Sequence, residues 1–232
     1  MYMEKKILIL LVLVVQSFSM QAQSAGMVPE TSVIIVNESD REASINVKNT
    51  DEHTSLLYSQ ILPIHEDDEN IILLTPPVSR VDAGETQAIR FILQTNTPLS
   101  VQKLRRVTFE GIPPKSDSNK AQVRINVVQN LPVIINPKDL AKDDEPWKRL
   151  KWTANEEFVE VGNPDRYVVR LDQKVVLNPG GYTVELPKTY ILPGEKIKLN
   201  LSRKIKSIST VTIFPATVYG YSVDSYTVNL NN

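Results

Sequence analysis

Cysteine is absent from the 232 residues, so this chain can build no disulfide, thiolate nucleophile or thiolate metal site. Histidine is nearly absent too. Only His53 and His65 occur, few for an enzyme working by general-base or zinc chemistry, and no Ser or Cys motif accompanies either. No glycine-rich stretch has the form of a phosphate loop; Gly180-Gly181, after Pro179, reads as a hairpin turn. Aromatic residues are 6% of the chain, and the scattered basic residues have no aromatic stripe between them, which argues against nucleic-acid binding. The formal net charge is -1, so no strong field draws in a polyanion or an acidic membrane. The acidic runs Glu66–Glu69 and Asp143–Glu145 lack the spacing of a calcium loop and read as solvated. No metal, no cofactor and no catalytic residue is expected. Helical periodicity is nearly missing as well; Leu140 to Leu150 has room for a turn or so.

One short apolar run stands at the start. Lys5 and Lys6 precede Ile7–Val15, and small residues follow around Ala22, Ser24 and Ala25, the pattern of a secretory signal over residues 1–24. The run is too short to cross a bilayer, and no later segment is long enough. The mature chain is expected to be exported, without insertion into a membrane.

What remains is a succession of short β patterns separated by turn residues. Val28–Val36 is an apolar run interrupted by Pro29; Ala43, Ile45 and Val47 alternate with polar residues; Leu56–Ile64, Ile71–Leu74, Thr86–Leu93 and Leu104–Ile112 follow, the last stopped by Pro113-Pro114. With the strand beginning at Ala121, this makes about seven strands in about 110 residues, the number an immunoglobulin-like sandwich uses. Pro137–Pro146 is polar and reads as a linker. A second series then runs through Leu150–Ala154, Phe158–Val161, Tyr167–Leu171, Tyr182–Leu186, Lys196–Leu201, Val211–Phe214 and Tyr226–Leu230. Both halves share a Gly-Glu turn feeding a strand, Asp82-Ala-Gly-Glu85 and Leu192-Pro-Gly-Glu195, which suggests two copies of one topology. The expected architecture is all-β: two immunoglobulin-like β-sandwich domains, at 25–137 and 149–232, joined by a linker at 138–148, with a cleft between them.

The stretch Ala121–Asn136 is unusual for its length. Ala121, Val123, Ile125, Val127, Leu131, Val133 and Ile135 share one parity and are apolar, with Gln129 the exception; the other parity is mostly polar. Period 2 places the two sets on opposite faces of a pleated strand. Sixteen residues at about 3.3 Å each would span about 53 Å, far more than the usual five or six residues. Pro132 cannot donate to a ladder, so that part should be an edge or a crossing point between partners. A long apolar edge is an aggregation hazard unless something covers it or its display is the point.

Leu104-Arg-Arg-Val-Thr-Phe-Glu-Gly-Ile-Pro-Pro114, a polar loop, and a long alternating strand ending Val133-Ile-Ile-Asn-Pro137 together resemble the PapD-like periplasmic pilus chaperones. Ser79-Arg-Val-Asp-Ala-Gly-Glu-Thr-Gln-Ala-Ile-Arg90 is similar to the family's segment before and within its fifth strand. Val161-Gly-Asn-Pro164, followed by Tyr167, is similar to its second-domain signature. The resemblance implies a non-enzymatic, ATP-independent periplasmic chaperone. Such proteins lend their seventh strand to an incomplete pilus (fimbrial) subunit and deliver it to an outer-membrane usher, a known case of strand addition. It implies Ala121, Val123, Ile125 and Val127 as the subunit-binding side chains. The short loop Pro114–Lys120 is similar to the branch that builds rod-like pili with a tip adhesin. Self-association of the free chain is open to it as a way to cover the edge.

One departure stands out. The family anchors the subunit's terminal carboxylate with an Arg in the first strand and a Lys late in the seventh. The matching cleft positions here are Ser32 and Pro132, which carry no charge. Arg106, Arg105 and Arg90 are candidate substitutes, with ordinary exposed strand charges as the other reading. The alternative function is a structural fimbrial subunit or surface adhesin built from the same sandwiches. A subunit would be a single incomplete domain with a donor segment at its N-terminus, whereas this chain carries two full strand sets.

Overall fold

The computed structural model describes residues 26–114 and 126–230. The predicted secretory signal therefore lies outside the described residues, as do Ala121, Val123 and Ile125. The first half holds nine strands: β1 (Met27–Pro29), β2 (Ile34–Asn37), β3 (Glu42–Asn49), β4 (Ser55–Leu62), β5 (Ile72–Thr75), β6 (Val78–Val81), β7 (Thr86–Leu93), β8 (Lys103–Ile112) and β9 (Val128–Asn136). They form two sheets, in the orders β1-β3-β7-β5 and β2-β9-β8-β4-β6. Every pairing is antiparallel except β2 with β9, which is parallel. Val47, Ile89 and Phe91 of one sheet meet Leu57, Val107, Phe109, Val133 and Ile135 of the other in a continuous core. Alternation along each strand is what supplies one apolar face per sheet.

The apolar run Val28–Val36 is divided between the two sheets. β1 ends at Pro29, whose nitrogen has no hydrogen to continue the β3 ladder. Residues 30–33 cross over, held by the Glu30 carboxylate, which accepts from the Asn46 backbone N–H at 2.9 Å and from Asn46 Nδ2 at 3.0 Å. The chain then joins the other sheet beside β9.

The second half repeats the plan with β10 (Lys151–Ala154), β11 (Phe158–Gly162), β12 (Val169–Asn178), β13 (Tyr182–Glu185), β14 (Tyr190–Ile191), β15 (Lys196–Asn200), β16 (Thr210–Pro215) and β17 (Tyr226–Asn229). One sheet runs β10-β11-β15, the other β13-β12-β16-β17 with β14 beside β12. A 3-10 turn at Pro146–Arg149 is the helical element of the stretch between the two halves. The fold is thus two immunoglobulin-like β-sandwiches.

The shared Gly-Glu turns are held by the same device in both. Gly84 and Gly194 both sit at φ 76°, where glycine alone is unstrained. A buried asparagine staples each turn. Gly84 N–H donates to Asn49 O at 2.9 Å, and Gly194 N–H to Asn163 O at 2.7 Å. The Asn49 amide donates to Val81 O and His53 O; that of Asn163 donates to Ile191 O and Tyr167 O.

The sandwiches meet along an apolar seam. Val33, Ile64, Leu104 and Ile134 of the first pack with Val168 of the second, and Tyr190, Leu192 and Val218 close over them. Gln102 stitches its rim: its backbone N–H donates to Arg166 O at 2.8 Å, and its side-chain oxygen accepts from Val168 N–H at 2.8 Å. The acidic run Glu66–Glu69, expected to be merely solvated, is a clamp instead. Asp67 pairs with Arg105 at 2.8 Å and Lys103 at 3.0 Å, while Glu66 pairs with Lys188 of the second sandwich and accepts from the Tyr190 hydroxyl at 3.1 Å. The loop crosses the end of the seam, where basic groups of both sandwiches are partly withdrawn from water and need a partner.

Candidate functional site

β9 is two strands in one. Its C-terminal half, Val133–Asn136, lies between β8 and β2; its N-terminal half, from Val128, has β8 on one side only. Side-chain parity follows the sequence alternation: Val133 and Ile135 enter the first core with Leu131 packed at its margin, while Ile134 faces the seam. Backbone parity follows as well. Asn136 O accepts from Glu38 N–H at 2.9 Å, on the β2 side. In a strand of unbroken register the carbonyl and amide of every second residue point the same way. The backbone groups of residues 136, 134, 132, 130 and 128 therefore face the β2 side, and those of the odd residues face β8.

β2 begins at Ile34, opposite Val133. By the same parity the Ile34 N–H faces Pro132 O, and back from there the outward groups of Asn130 and Val128 meet no strand among the described residues. Pro132, the last residue of β9 to face β2, has no N–H to leave unpaired, so the proline sits where the parallel ladder stops. The outward groups of Val128 and Asn130 form a real edge. Beside it Val127 and Val128 are 43% and 47% exposed, in a stretch of otherwise apolar alternation.

Behind this edge is the cleft between the sandwiches. Arg106 lies opposite Pro132 on β8. Its Nε donates to Asn130 Oδ1 at 2.8 Å and its Nη2 to Asn130 O at 2.7 Å. Across the cleft, Arg170 of β12 donates from Nη1 to Val218 O at 2.6 Å. Its guanidinium lies against Gly220, where an added Cβ would come within 3.3 Å of Nη2. Burial lowers the pKa of both arginines, and the charge of Arg106 lowers that of Arg170 further. No carboxylate bridges either guanidinium among the described residues. Tyr190, beside them, has its hydroxyl pushed up to about 12 by burial, by its hydrogen bond to Glu66 and by the charges of Glu66 and Glu195. Ser32 is exposed, and its hydroxyl donates to Tyr219 O at 2.6 Å.

The structure thus gathers Ser32, Arg106 and Pro132 at one end of one cleft. Two candidate substitutes fall away. Arg105, 1% exposed, is locked by Asp67, Glu69 O and Leu104 O, because its parity turns it inward to the end of the sandwich. Arg90 pairs with Glu42 on the surface sheet opposite. Arg170 and Tyr190 were missed. The one signal for Arg170 was a charge inside the apolar run Tyr167–Leu171.

The geometry has relatives. The family model for pili and flagellar-assembly chaperones, PapD N-terminal domain, matches residues 26–141. The fimbrial chaperone YhcA of Escherichia coli (strain K12) is 44% identical over 213 residues, covering 91% of this chain and 94% of that protein. Chaperone protein MrkB of Klebsiella pneumoniae is 23% identical over 217 residues, covering 89% and 92%. Among solved structures, the SafB chaperone of Salmonella enterica, in complex with SafA pilin, aligns with a TM-score of 0.72 at 18% identity, covering 90% of this chain and 99% of that one. The YadV chaperone aligns with a TM-score of 0.70 at 19% identity, covering 88% and 99%. With its two sandwiches and open β9 edge, the chain belongs to the PapD-type pilus-assembly chaperones.

Proposed function

We propose that this chain is a periplasmic chaperone that binds an incomplete pilus subunit by donating β9 and its N-terminal extension to the subunit's open groove. The observation that carries this reading is the edge at Val128–Asn130, where the outward backbone groups of Val128 and Asn130 have no strand beside them among the described residues. Main-chain bonds along that edge would supply affinity, and alternate side chains would supply fit. Val127, with Ala121, Val123 and Ile125 ahead of it, provides the apolar set. The alternative, a fimbrial subunit or adhesin, is disfavoured by the family match and by the presence of two sandwiches. A subunit contributes its own missing-strand groove, not a second complete sandwich.

The cleft supplies the second contact. Arg106 and Arg170 would hold the subunit's terminal carboxylate between them, in place of the basic residues that Ser32 and Pro132 do not provide. Two partly desolvated guanidiniums without an acid partner are ready for a carboxylate. Delivery to an outer-membrane usher completes the role, and no catalytic step is part of it. Export follows from the signal at residues 1–24, with the mature chain starting between Gln23 and Gly26. Purification from the periplasm, with mass spectrometry of whatever copurifies, tests the whole reading. A pilus subunit in about equimolar amount is the expected result; recovery of the chain alone from cells expressing its subunits would overturn it.

A further inference from the structure

An open edge with exposed valines beside it and a net charge near zero has little to stop it pairing with the same edge of another copy. One group stands in the way. Arg106 arises on β8, yet its guanidinium reaches past Pro132 and binds both oxygens of Asn130. By the backbone parity above, Asn130 O is an outward acceptor of the open edge. It is an acceptor that an added strand would need. We propose that Arg106 is a removable guard on the β9 edge: it caps the Asn130 carbonyl in the free chain, excludes a second copy, and must let go when a strand pairs as far as Asn130. This rests on the reading of β9 as a donor edge, and it concerns the protein without its subunit.

The guard makes the edge selective. A partner that brings only a strand must break two charge-assisted bonds to pair beyond Val128. A partner that also brings an anion to the cleft offers the released guanidinium a replacement beside Arg170. Edge pairing and the cleft contact are then coupled through one side chain, which makes partial partners weak ones.

The test needs only the mature chain. Arg106→Ala should self-associate about tenfold more tightly or better in sedimentation equilibrium, since a bond to a charged group carries that much free energy. Arg106→Lys keeps the charge but cannot grip both oxygens, and should also self-associate more tightly than wild type. Asn130→Pro, added to either variant, should abolish the gain. The Asn130 N–H faces outward like the nitrogen of Pro132, so the β8 ladder loses no bond. Three outcomes overturn the proposal: no gain in Arg106→Ala, a gain that survives Asn130→Pro, or Arg106→Lys indistinguishable from wild type. Should Arg106→Ala melt early, Arg106→Lys with and without Asn130→Pro decides the matter alone. If self-association is unchanged while substitutions in the donor strand still abolish subunit capture, the guard fails and the donor reading stands.

Discussion

Glu66 and Asp67 are consecutive residues that grip different sandwiches. Asp67 turns to Arg105 and Lys103 of the first, and Glu66 turns to Lys188 and Tyr190 of the second. The peptide between them is a tie across the seam.

Removing the inner half of the tie should be costly. Arg105 is 1% exposed, and without Asp67 its charge keeps only backbone carbonyls as partners. Breaking a buried pair on one side costs about 3–5 kcal/mol, and the partial exposure of Asp67 places Asp67→Ala at the low end, about 3 kcal/mol. Urea unfolding of the variant should show a loss of that order in the first sandwich. A loss below about 1 kcal/mol would mean that Glu69 O and Leu104 O hold Arg105 unaided.

The outer half should respond to acid. Burial pulls the Glu66 carboxyl upward, but the Lys188 bond, a backbone amide and Tyr190 outweigh it, leaving its pKa below the ordinary 4.5. Asp67 is likewise held below 3.8, burial being outweighed by Arg105 and Lys103. A carboxylate whose folded pKa is depressed adds stability that is complete above the unfolded value and is lost as pH falls through the folded one. Stability should therefore be flat above about pH 4.5 and fall below it. Glu66→Gln should flatten the upper part of that fall. An unchanged acid profile in Glu66→Gln would remove Glu66 from the linkage.

Much of this architecture was legible in the sequence because alternation carries it. The strands expected around Ala43–Val47, Thr86–Leu93, Leu104–Ile112 and Phe158–Val161 are present, as are the Gly180-Gly181 hairpin and the short turn before Leu150. Others were not. β6 is four residues long and β14 two, too short for period 2 to register. β12 runs on to Asn178 through an irregular register between Leu171 and Val175, which scrambles the alternation over Asp172–Lys174. The division of Val28–Val36 between sheets was hidden because both parts are apolar; only Pro29 hinted at it. At the site, Pro132 was readable as an edge marker because its missing N–H is a local property. The inward turn of Arg105 and the approach of Arg170 to Arg106 were not, since both depend on how distant strands pack.

The buried asparagines should behave as a pair. Asn163→Ala leaves the Tyr167 and Ile191 carbonyls without their donor, and Asn49→Ala does the same to Val81 O and His53 O. An unsatisfied buried group costs about 1–3 kcal/mol, so each variant should destabilise its own sandwich by at least that much. Tryptophan fluorescence separates them, because both tryptophans, Trp147 and Trp152, pack into the second core. The Asn163→Ala fluorescence transition should move to lower urea and that of Asn49→Ala much less. Equal shifts would mean that the two sandwiches unfold as one unit.

The cleft arginines should act together on a bound subunit. Arg170→Ala and Arg106→Ala should each weaken capture by about tenfold or more, a charge-assisted bond being worth about 1.5–3 kcal/mol. Because both are assigned to one carboxylate, the double variant should lose less than the sum. A subunit lacking its terminal carboxylate, made as the C-terminal amide, should be nearly blind to Arg170→Ala. Full additivity with the amide would assign Arg170 to the Val218–Gly220 turn alone.

The donor strand itself carries the last prediction. Val127 is 43% exposed on the parity that enters the core farther along at Val133 and Ile135. Ile125 shares that parity in the sequence. If these side chains fill a subunit's groove, burying each is worth about 1.5–3 kcal/mol before the cost of ordering the segment. Ile125→Asp and Val127→Asp should then leave the melting temperature of the free chain within a few degrees of wild type and abolish the copurified subunit, because a carboxylate would have to enter an apolar groove. If instead the two residues hold the chaperone's own sandwich together, the same variants bury an unpaired charge in their own domain, which destabilises it by several kcal/mol. Thermal unfolding of each free variant, read beside its yield of bound subunit, separates the two. A stable variant without subunit marks a donor strand; a collapsed melting temperature marks core, and would leave the open edge at Val128–Asn130 without the apolar extension that makes it a donor.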